Sequence, residues 1–386
     1  MLKKNKRGLI FLVIIFCLFS LKTLLFSASS DLKPTMKGFS QELMDLKPYL
    51  ANPKLFESKK SEKIIQKKIK NLRTLAEVSS HKGSLKQDEY RSLVQALIEH
   101  LNLAEKNFNW GKKDYSRYML QATTQLCIGC HAKLPFKEGM EFSLPDHQIK
   151  RTTSFQEAEF LFATRQIKPA LASFNYLISH YPKKEEDIIQ LMKALNYSSI
   201  IFARILRDPI KGREFFEKVA KRKNLPPFMQ SDVEAWIESF KKWEKEKVLN
   251  TQKASDKKII TTVLKILNKN LNNPFFLKDN SNQITYLRAS GLLHELLILH
   301  PKSSYRAQAL YLLGICYLTL DNEFYTDLQY SYFKTCIKEY PQSPFAKKCY
   351  DLLAESVVFG YSGSSGIHIP PDVEQELNAL RSLLKI

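Results

Sequence analysis

Two cysteines and a histidine fall within five residues, in the order Cys127-Ile128-Gly129-Cys130-His131. This spacing is the covalent attachment signature of c-type haem. The two thiols can reach the two vinyl groups on one edge of a porphyrin, and the next imidazole can bind the iron as proximal ligand. A Cys-x-x-Cys pair also occurs in dithiol redox sites and in zinc sites. We favour haem. A dithiol redox site would need a βαβ pattern, and a zinc site would need a second cysteine pair nearby, and the sequence has neither.

The composition favours an all-α chain. With 386 residues the chain is long enough for two domains, and an apolar content of 44% allows a sizeable core. Glycine (12) and proline (16) are few, while leucine, lysine and alanine are plentiful. We therefore predict helices throughout, without a sheet of any size.

The chain is strongly basic, with a net charge of +20 and a pI near 9.5. This balance is typical of proteins with anionic partners, which can be nucleic acid, a membrane surface or an acidic protein, and an acidic redox partner protein would fit it. A nucleic-acid partner is not expected, because no basic and aromatic recognition motif is present. The simpler interpretation, which we favour for most of the lysines, is that they solvate helix surfaces.

Residues 1–30 have the pattern of a secretory signal peptide. Four basic residues precede an apolar run from Leu9 to Leu21, and the small residues Ser27-Ala28-Ser29 follow. If the apolar run is extended through Lys22 to Phe26, the segment could remain as a membrane anchor. We predict export to the periplasm or to the extracytoplasmic face of the inner membrane, the compartment where c-type haem is attached.

Residues 31–148 carry four amphipathic helical patterns that end at the motif. Short breaks separate the patterns, which predicts an up-down four-helix bundle. The apolar stripes are Met36, Phe39, Leu43, Leu46 and Leu50; Ile65, Ile69, Leu72 and Ala76; Leu93, Leu97, His100, Ala104 and Phe108; and Tyr115, Met119, Ala122, Leu126 and Cys130.

The late position of Cys127, Cys130 and His131, after four helices, resembles the four-helix-bundle c-type cytochromes, the cytochrome c′ group. The resemblance covers residues 31 to about 140. It implies one covalent haem on Cys127 and Cys130, with His131 as proximal ligand. It also implies that a methionine near the start of the first helix can be the sixth ligand, which points to Met36, with Met44 as the alternative. Other members leave this position open, and small gases bind there.

Several methionine and histidine residues have interpretations other than iron ligation. Met36 has an alternative interpretation as a flexible filler of the core. His100 lies on an apolar stripe, and we favour a hydrogen-bonded core histidine over a ligand. Met140 follows the motif too closely to reach over the iron, and His81 and His147 lie in polar segments.

Residues 149–386 contain internal repetition. Apolar helix ends run into a proline and then a polar helix start at Tyr181-Pro182, His300-Pro301 and Tyr340-Pro341. The segment from Ala289 to Tyr350, with the small Gly314 at a helix crossing, is similar to tetratricopeptide repeats. The resemblance implies an α-solenoid whose concave face binds a protein or peptide. The alternative is that the repeats only support the haem domain.

Cys316, Cys336 and Cys349 all fall in this repeat region. We favour their interpretation as small buried hydrophobic residues. If two of them form a disulfide in an oxidising compartment, Cys336 and Cys349 are the preferred pair, because they lie on consecutive helices.

The combined prediction is an exported monohaem c-type cytochrome that transfers single electrons and docks a partner through its repeats. We predict that it is not an enzyme, since the sequence has no nucleophile and base constellation and no phosphate loop. Two alternatives remain open at this stage. One is a haem-based gas sensor or binder, and the other is an envelope scaffold in which haem has a minor role.

Overall fold

The computed structural model describes residues 32–81, 88–133, 152–181, 187–222, 225–268, 280–320, 328–364 and 366–384. This part of the chain is all-α, as predicted, apart from two antiparallel two-residue strands, β1 (Ser362–Gly363) and β2 (Gly366–Ile367). None of the helices in these ranges has the length and apolarity needed to cross a bilayer. The predicted leader, Met140 and His147 lie outside the described residues.

Serine residues begin several of the helices. Ser58, Ser154, Ser255 and Ser343 each accept a hydrogen bond from a backbone N–H of the first turn, which satisfies a donor that the helix itself leaves open. In chain order the helices are α1 (Leu32–Ala51), α2 (Pro53–Glu57), α3 (Lys59–Ser80), α4 (Asp88–Asn109), α5 (Lys113–His131), α6 (Phe155–Ala163), α7 (Ile167–His180), α8 (Asp187–Ile200), α9 (Pro209–Ala220), α10 (Pro227–Glu244), α11 (Asp256–Leu267), α12 (Gln283–Leu299), α13 (Arg306–Thr319), α14 (Leu328–Glu339), α15 (Pro344–Gly360) and α16 (Pro371–Leu383). A π-helical segment, Ile201–Leu206, continues α8, and a 3₁₀ turn, Asn280–Asn282, precedes α12.

The chain divides into two compact units, Met1–Thr123 and Thr124–Ile386. The division falls inside α5, whereas the sequence placed the domain boundary near residue 149. The last two turns of α5, which carry the cysteines and His131, are therefore grouped with the second unit.

The first unit is built from the four helices that the periodicity predicted, α1, α3, α4 and α5. Most residues of their apolar stripes are buried, including Leu46, Ile69 and Met119, but Tyr115, predicted on the stripe of α5, is 50% exposed. Polar contacts join the helices: the Ser116 hydroxyl of α5 donates to the Ala104 carbonyl of α4 at 2.8 Å. The short α2 was not predicted. It begins at Pro53 with Asn52 as its cap, so a dipeptide that looked like a break starts a helix instead.

The second unit is a succession of helices in which sequence neighbours pack on one another. α6 packs on α7, α9 on α10, and each helix from α11 to α15 on the next. The proline-marked helix ends that the sequence predicted are present: α12 ends at Leu299 and α13 begins after Pro301, and α14 ends at Glu339 before α15 begins at Pro344.

Gly314 is required by the close approach of α13 and α14. A Cβ at this position would lie 2.1 Å from Cε1 of the buried Phe333 ring.

We expect Gly314→Ala to lower the free energy of unfolding by about 1–3 kcal/mol, because the Phe333 ring must shift within a packed core. Urea unfolding followed by tryptophan fluorescence measures this. Gly363→Ala is the control, since a Cβ there meets no atom within 4 Å. Equal midpoints for both variants would contradict the packing argument.

Candidate functional site

The motif residues occupy the last two turns of α5. Because side chains three and four positions apart share a helix face, Cys127, Cys130 and His131 lie on one side of α5. All three are half-buried. The helical conformation therefore brings together the two thiols and the imidazole that the sequence predicted as one site.

His131 is held through both its ring and its backbone by the turn that follows α6. Its Nδ1 lies 2.5 Å from the Ala163 carbonyl oxygen, the last residue of α6. In return, the buried Arg165 donates from Nη1 to the His131 carbonyl at 2.7 Å. Arg165 has a φ of +61°, in the left-handed region that a non-glycine residue seldom adopts. The two bonds fix the orientation of the imidazole from a segment more than thirty residues away.

The charge state of His131 follows from these surroundings. Burial, helped by the charge of Arg165, lowers the pKa of His131 to about 4, so the ring is neutral at pH 7. A neutral imidazole can donate to a carbonyl only from the nitrogen that carries the proton. With Nδ1–H donating to Ala163, the lone pair lies on Nε2. This is the tautomer that histidine needs to bind a metal through Nε2.

The pKa values of the two thiols differ from those of a reactive dithiol. Burial raises the pKa of Cys127 to about 12, with Cys130 contributing, and burial also raises the pKa of Cys130. Redox-active Cys-x-x-Cys pairs instead depend on a lowered thiol pKa. The environment therefore disfavours the dithiol interpretation. Among the described residues, no group of three or more histidine, cysteine or acidic side chains could hold a metal ion by itself.

A second set of hydrogen bonds anchors this end of α5. Thr124 donates to Oε2 of Glu159 on α6 at 3.0 Å, and the Tyr197 hydroxyl on α8 donates to Oε1 of the same carboxyl at 2.8 Å. Burial raises the pKa of Glu159, and the two hydroxyl donors partly offset this. Glu159 thus connects α5, α6 and α8 one helical turn before Cys127.

A buried basic and aromatic cluster, which the sequence analysis missed, lies beyond the motif. Lys133 is fully buried, and its ammonium lies 5.3 Å from the centre of the Tyr332 ring. The fully buried Arg204, in the π-helical segment, donates to the Tyr317 hydroxyl at 3.1 Å and to the Ser290 hydroxyl. π-helical segments often mark functional sites. The Lys133 charge also acts on the Cys130 thiol, so the cluster is electrostatically continuous with the motif.

His294 gives this cluster a dependence on pH. Its Nε2 lies 3.0 Å from the Tyr317 hydroxyl. Burial, followed by the charges of Lys133 and Arg204, lowers the pKa of His294 well below 6.5. As the pH falls below about 6.5, His294 binds a proton in the unfolded chain but not in the folded chain. The free energy of unfolding therefore decreases as the pH falls.

We therefore expect His294→Gln, which can still hydrogen-bond Tyr317, to lose less stability than the wild type between about pH 7 and about pH 5. The expected difference is on the order of 1 kcal/mol. Urea unfolding at a series of pH values measures it. His180→Gln is the control, because this side chain lies at an exposed helix end. Parallel pH profiles for the wild type and His294→Gln would contradict the burial of a neutral His294.

Met36, the predicted sixth ligand, lies in the first unit together with the alternative Met44 and the histidines His81 and His100. Met36 and Met44 are on α1, and both side chains are half-buried. His100 is the hydrogen-bonded core histidine that the sequence favoured: it is buried, and its Nε2 lies 2.6 Å from the Met119 carbonyl oxygen. His81 is an exposed residue just after α3.

The three cysteines of the repeat region are free and buried in the structure. Cys336 and Cys349 are in side-chain contact, and burial, followed by this contact, raises the pKa of Cys349. Cys316 is fully buried on α13. These positions agree with the interpretation of small buried hydrophobic residues, and a Cys336–Cys349 disulfide stays a prediction.

Comparison with known proteins gives no relatives: no protein-family model, curated protein or solved structure matches this chain.

Proposed function

We propose that this chain is an exported monohaem c-type cytochrome that transfers single electrons, with its helical-repeat region docking a partner protein. The observation that carries the proposal is the setting of His131. This histidine follows the two cysteines at haem-attachment spacing, and its Nδ1 faces the Ala163 carbonyl. A histidine that ligates a metal almost always donates its other ring N–H to a carbonyl or carboxylate.

The residues present fit a covalent haem. Cys127 and Cys130 share a helix face with His131, so all three can be directed at one group. His131 is neutral at pH 7 and needs to lose no proton to act as a ligand. When bound, the haem supplies an iron that cycles between two oxidation states one electron apart.

The surrounding residues have the role of holding the ligand in place. The Ala163 carbonyl selects the tautomer and increases the basicity of the imidazole, and Arg165 fixes the backbone of His131. The contact of Thr124 with Glu159 limits movement of the helix end that carries the cysteines. A rigid ligand set suits electron transfer, because it keeps the geometry similar in both oxidation states.

The sixth ligand is part of the proposal. We propose Met36, with Met44 as the alternative, on the resemblance to four-helix-bundle cytochromes. A methionine thioether that bound the iron together with His131 would raise the reduction potential and favour electron transfer. A five-coordinate iron would instead favour the gas sensor or binder.

The repeat region is proposed to be an α-solenoid of tetratricopeptide-like helix pairs. The packing of each helix from α11 to α15 on its neighbour supports this, because such repeats bury their apolar faces only against adjacent repeats. Partner binding on a concave face is taken from the general behaviour of this architecture.

The test is to recover the chain from the envelope of a host that attaches c-type haem, and to record its intact mass and reduced visible spectrum. We expect a mass increase of one haem and the sharp α and β bands of a low-spin haem. The control is the same chain produced without the attachment machinery. An envelope form with the unmodified mass would exclude the cytochrome proposal.

A further inference from the structure

One side of α3 carries a cluster of exposed lysines, which we name the lysine face. At 100° per residue they span an arc of about 100°, opposite the side on which Ile65, Ile69 and Leu72 are buried. The lysine face consists of Lys59, Lys60, Lys63, Lys67 and Lys70.

The two acidic residues of α3 each have a basic partner that is not part of the lysine face. Glu62 accepts a hydrogen bond from Lys113 of α5, and Glu77 accepts one from Arg73, each at 2.8 Å. Lys68 lies off the lysine face and forms ion pairs with Glu42 and Asp45 of α1. The lysine face is therefore a concentrated positive patch, not the mixed charge pattern of an ordinary solvated helix.

We propose that the lysine face adsorbs to an anionic phospholipid surface. Lysine is depleted at protein interfaces, where arginine and aromatic residues are enriched, and residues 59–70 contain neither. Clusters of lysine, by contrast, are attracted to anionic lipid headgroups, each adding to the binding. At the edge of the face, the Ile64 side chain is 47% exposed and can enter the headgroup region.

The position of the lysine face in the chain agrees with this partner. The predicted signal or anchor, residues 1–30, ends just before α1, and α1 packs along α3. α1 is about 30 Å long and runs antiparallel to α3, because Gly38 lies against Leu75 and Glu42 pairs with Lys68, so a tether at Leu32 would hold the lysine face within about 30 Å of the bilayer, on the half of α3 farther from the tether. The apolar side of α3 is used in the core of the first unit, so the helix would lie on the lipid surface without inserting.

The test is co-sedimentation of the full exported chain with vesicles of phosphatidylcholine, with and without phosphatidylglycerol. The test variant changes all five residues of the lysine face to glutamine, which retains helix propensity. The control variant removes the same charge from five exposed lysines of the second unit: Lys242, Lys245, Lys247, Lys253 and Lys257. Circular dichroism verifies that both variants keep their helical content.

We expect phosphatidylglycerol to increase the vesicle affinity of the wild type, and the increase to fall with rising salt. The lysine-face variant should lose on the order of 100-fold in affinity for the anionic vesicles, and the control variant no more than about threefold. Equal losses in both variants would show an effect of net charge alone and overturn the proposal. Equal binding to vesicles with and without phosphatidylglycerol would assign binding to the N-terminal segment and overturn the proposal. Absence of vesicle binding at low salt would also overturn it and leave an acidic protein as the partner.

The proposal does not depend on haem. The same measurement on the Cys127→Ala/Cys130→Ala chain should give the same preference for anionic lipid, so the lysine face and the cytochrome proposal can fail separately. Loss of the lipid preference in this haem-free chain would contradict adsorption through α3.

Discussion

Changing both Cys127 and Cys130 to alanine is expected to abolish covalent haem attachment while leaving the helical fold in place. The two thiols are the only groups of the motif that can form thioether bonds, so the double variant should recover the unmodified mass. Alanine has the highest helix propensity, and both side chains are half-buried, so the end of α5 should stay helical. Intact mass and the reduced visible spectrum of the exported chain measure the first effect, and circular dichroism the second.

Cys316→Ala is the matched control, because it removes a buried thiol from α13 that has no part in the motif. This variant should keep the haem mass and the spectrum of the wild type. A double variant that still carried haem would remove the basis of the cytochrome proposal. If instead haem were lost and the cellular phenotype of the chain unchanged, the scaffold alternative would be favoured.

The helices of the first unit were predictable because their information is local. A stripe such as Ile65, Ile69 and Leu72 recurs at the helical period, and the burial of these residues in α3 follows from it. α2 escaped prediction because five residues are too few to show a period. Its start, Asn52-Pro53, is used by both turns and helix N-termini, so the sequence pattern alone does not distinguish them.

The candidate site was predictable only in part, because only its local part leaves a pattern in the sequence. Cys127, Cys130 and His131 lie within one helical turn and a half, and their spacing is itself the signal. The partner of the His131 ring is a backbone carbonyl at Ala163, and no residue type identifies such a partner in a sequence. The positive φ of Arg165 could not be predicted either, because arginine, unlike glycine, does not indicate the left-handed conformation.

Arg204 did leave a signal that the sequence analysis overlooked. It is the one charged residue within the apolar run Ile200-Ile201-Phe202-Ala203-Arg204-Ile205-Leu206. A charge placed in such a run is buried only when hydrogen bonds compensate it. Its partners, Tyr317 and Ser290, are about 90 or more positions away and depend on the packing of α12 and α13.

Replacing Arg204 by alanine is expected to lower the free energy of unfolding of the second unit by about 3 kcal/mol. Two effects add: a fully buried side chain leaves a cavity, and the Tyr317 and Ser290 hydroxyls lose a charged donor. One effect acts in the opposite direction, since the variant no longer buries a second cation near Lys133 and His294. We expect the cavity and the lost hydrogen bonds to outweigh the relief from the buried charge. Alanine is too small to fill the volume of the arginine side chain, whereas methionine would fill most of it.

Urea unfolding and hydrogen exchange of α12 and α13 measure the effect, with Arg204→Met and Arg213→Ala as comparisons. Arg204→Met fills most of the volume and removes the charge, so it should recover about half of the loss. Arg213 forms its ion pairs with Glu217 and Glu244 in contact with solvent, so its loss should destabilise the chain much less than Arg204→Ala does. If Arg204→Ala is as mild as Arg213→Ala, the hydroxyl contacts of Arg204 do not hold α12 and α13 to the π-helical segment. If Arg204→Met exceeds the wild type in stability, the buried charge is a cost that the fold retains for a purpose other than stability.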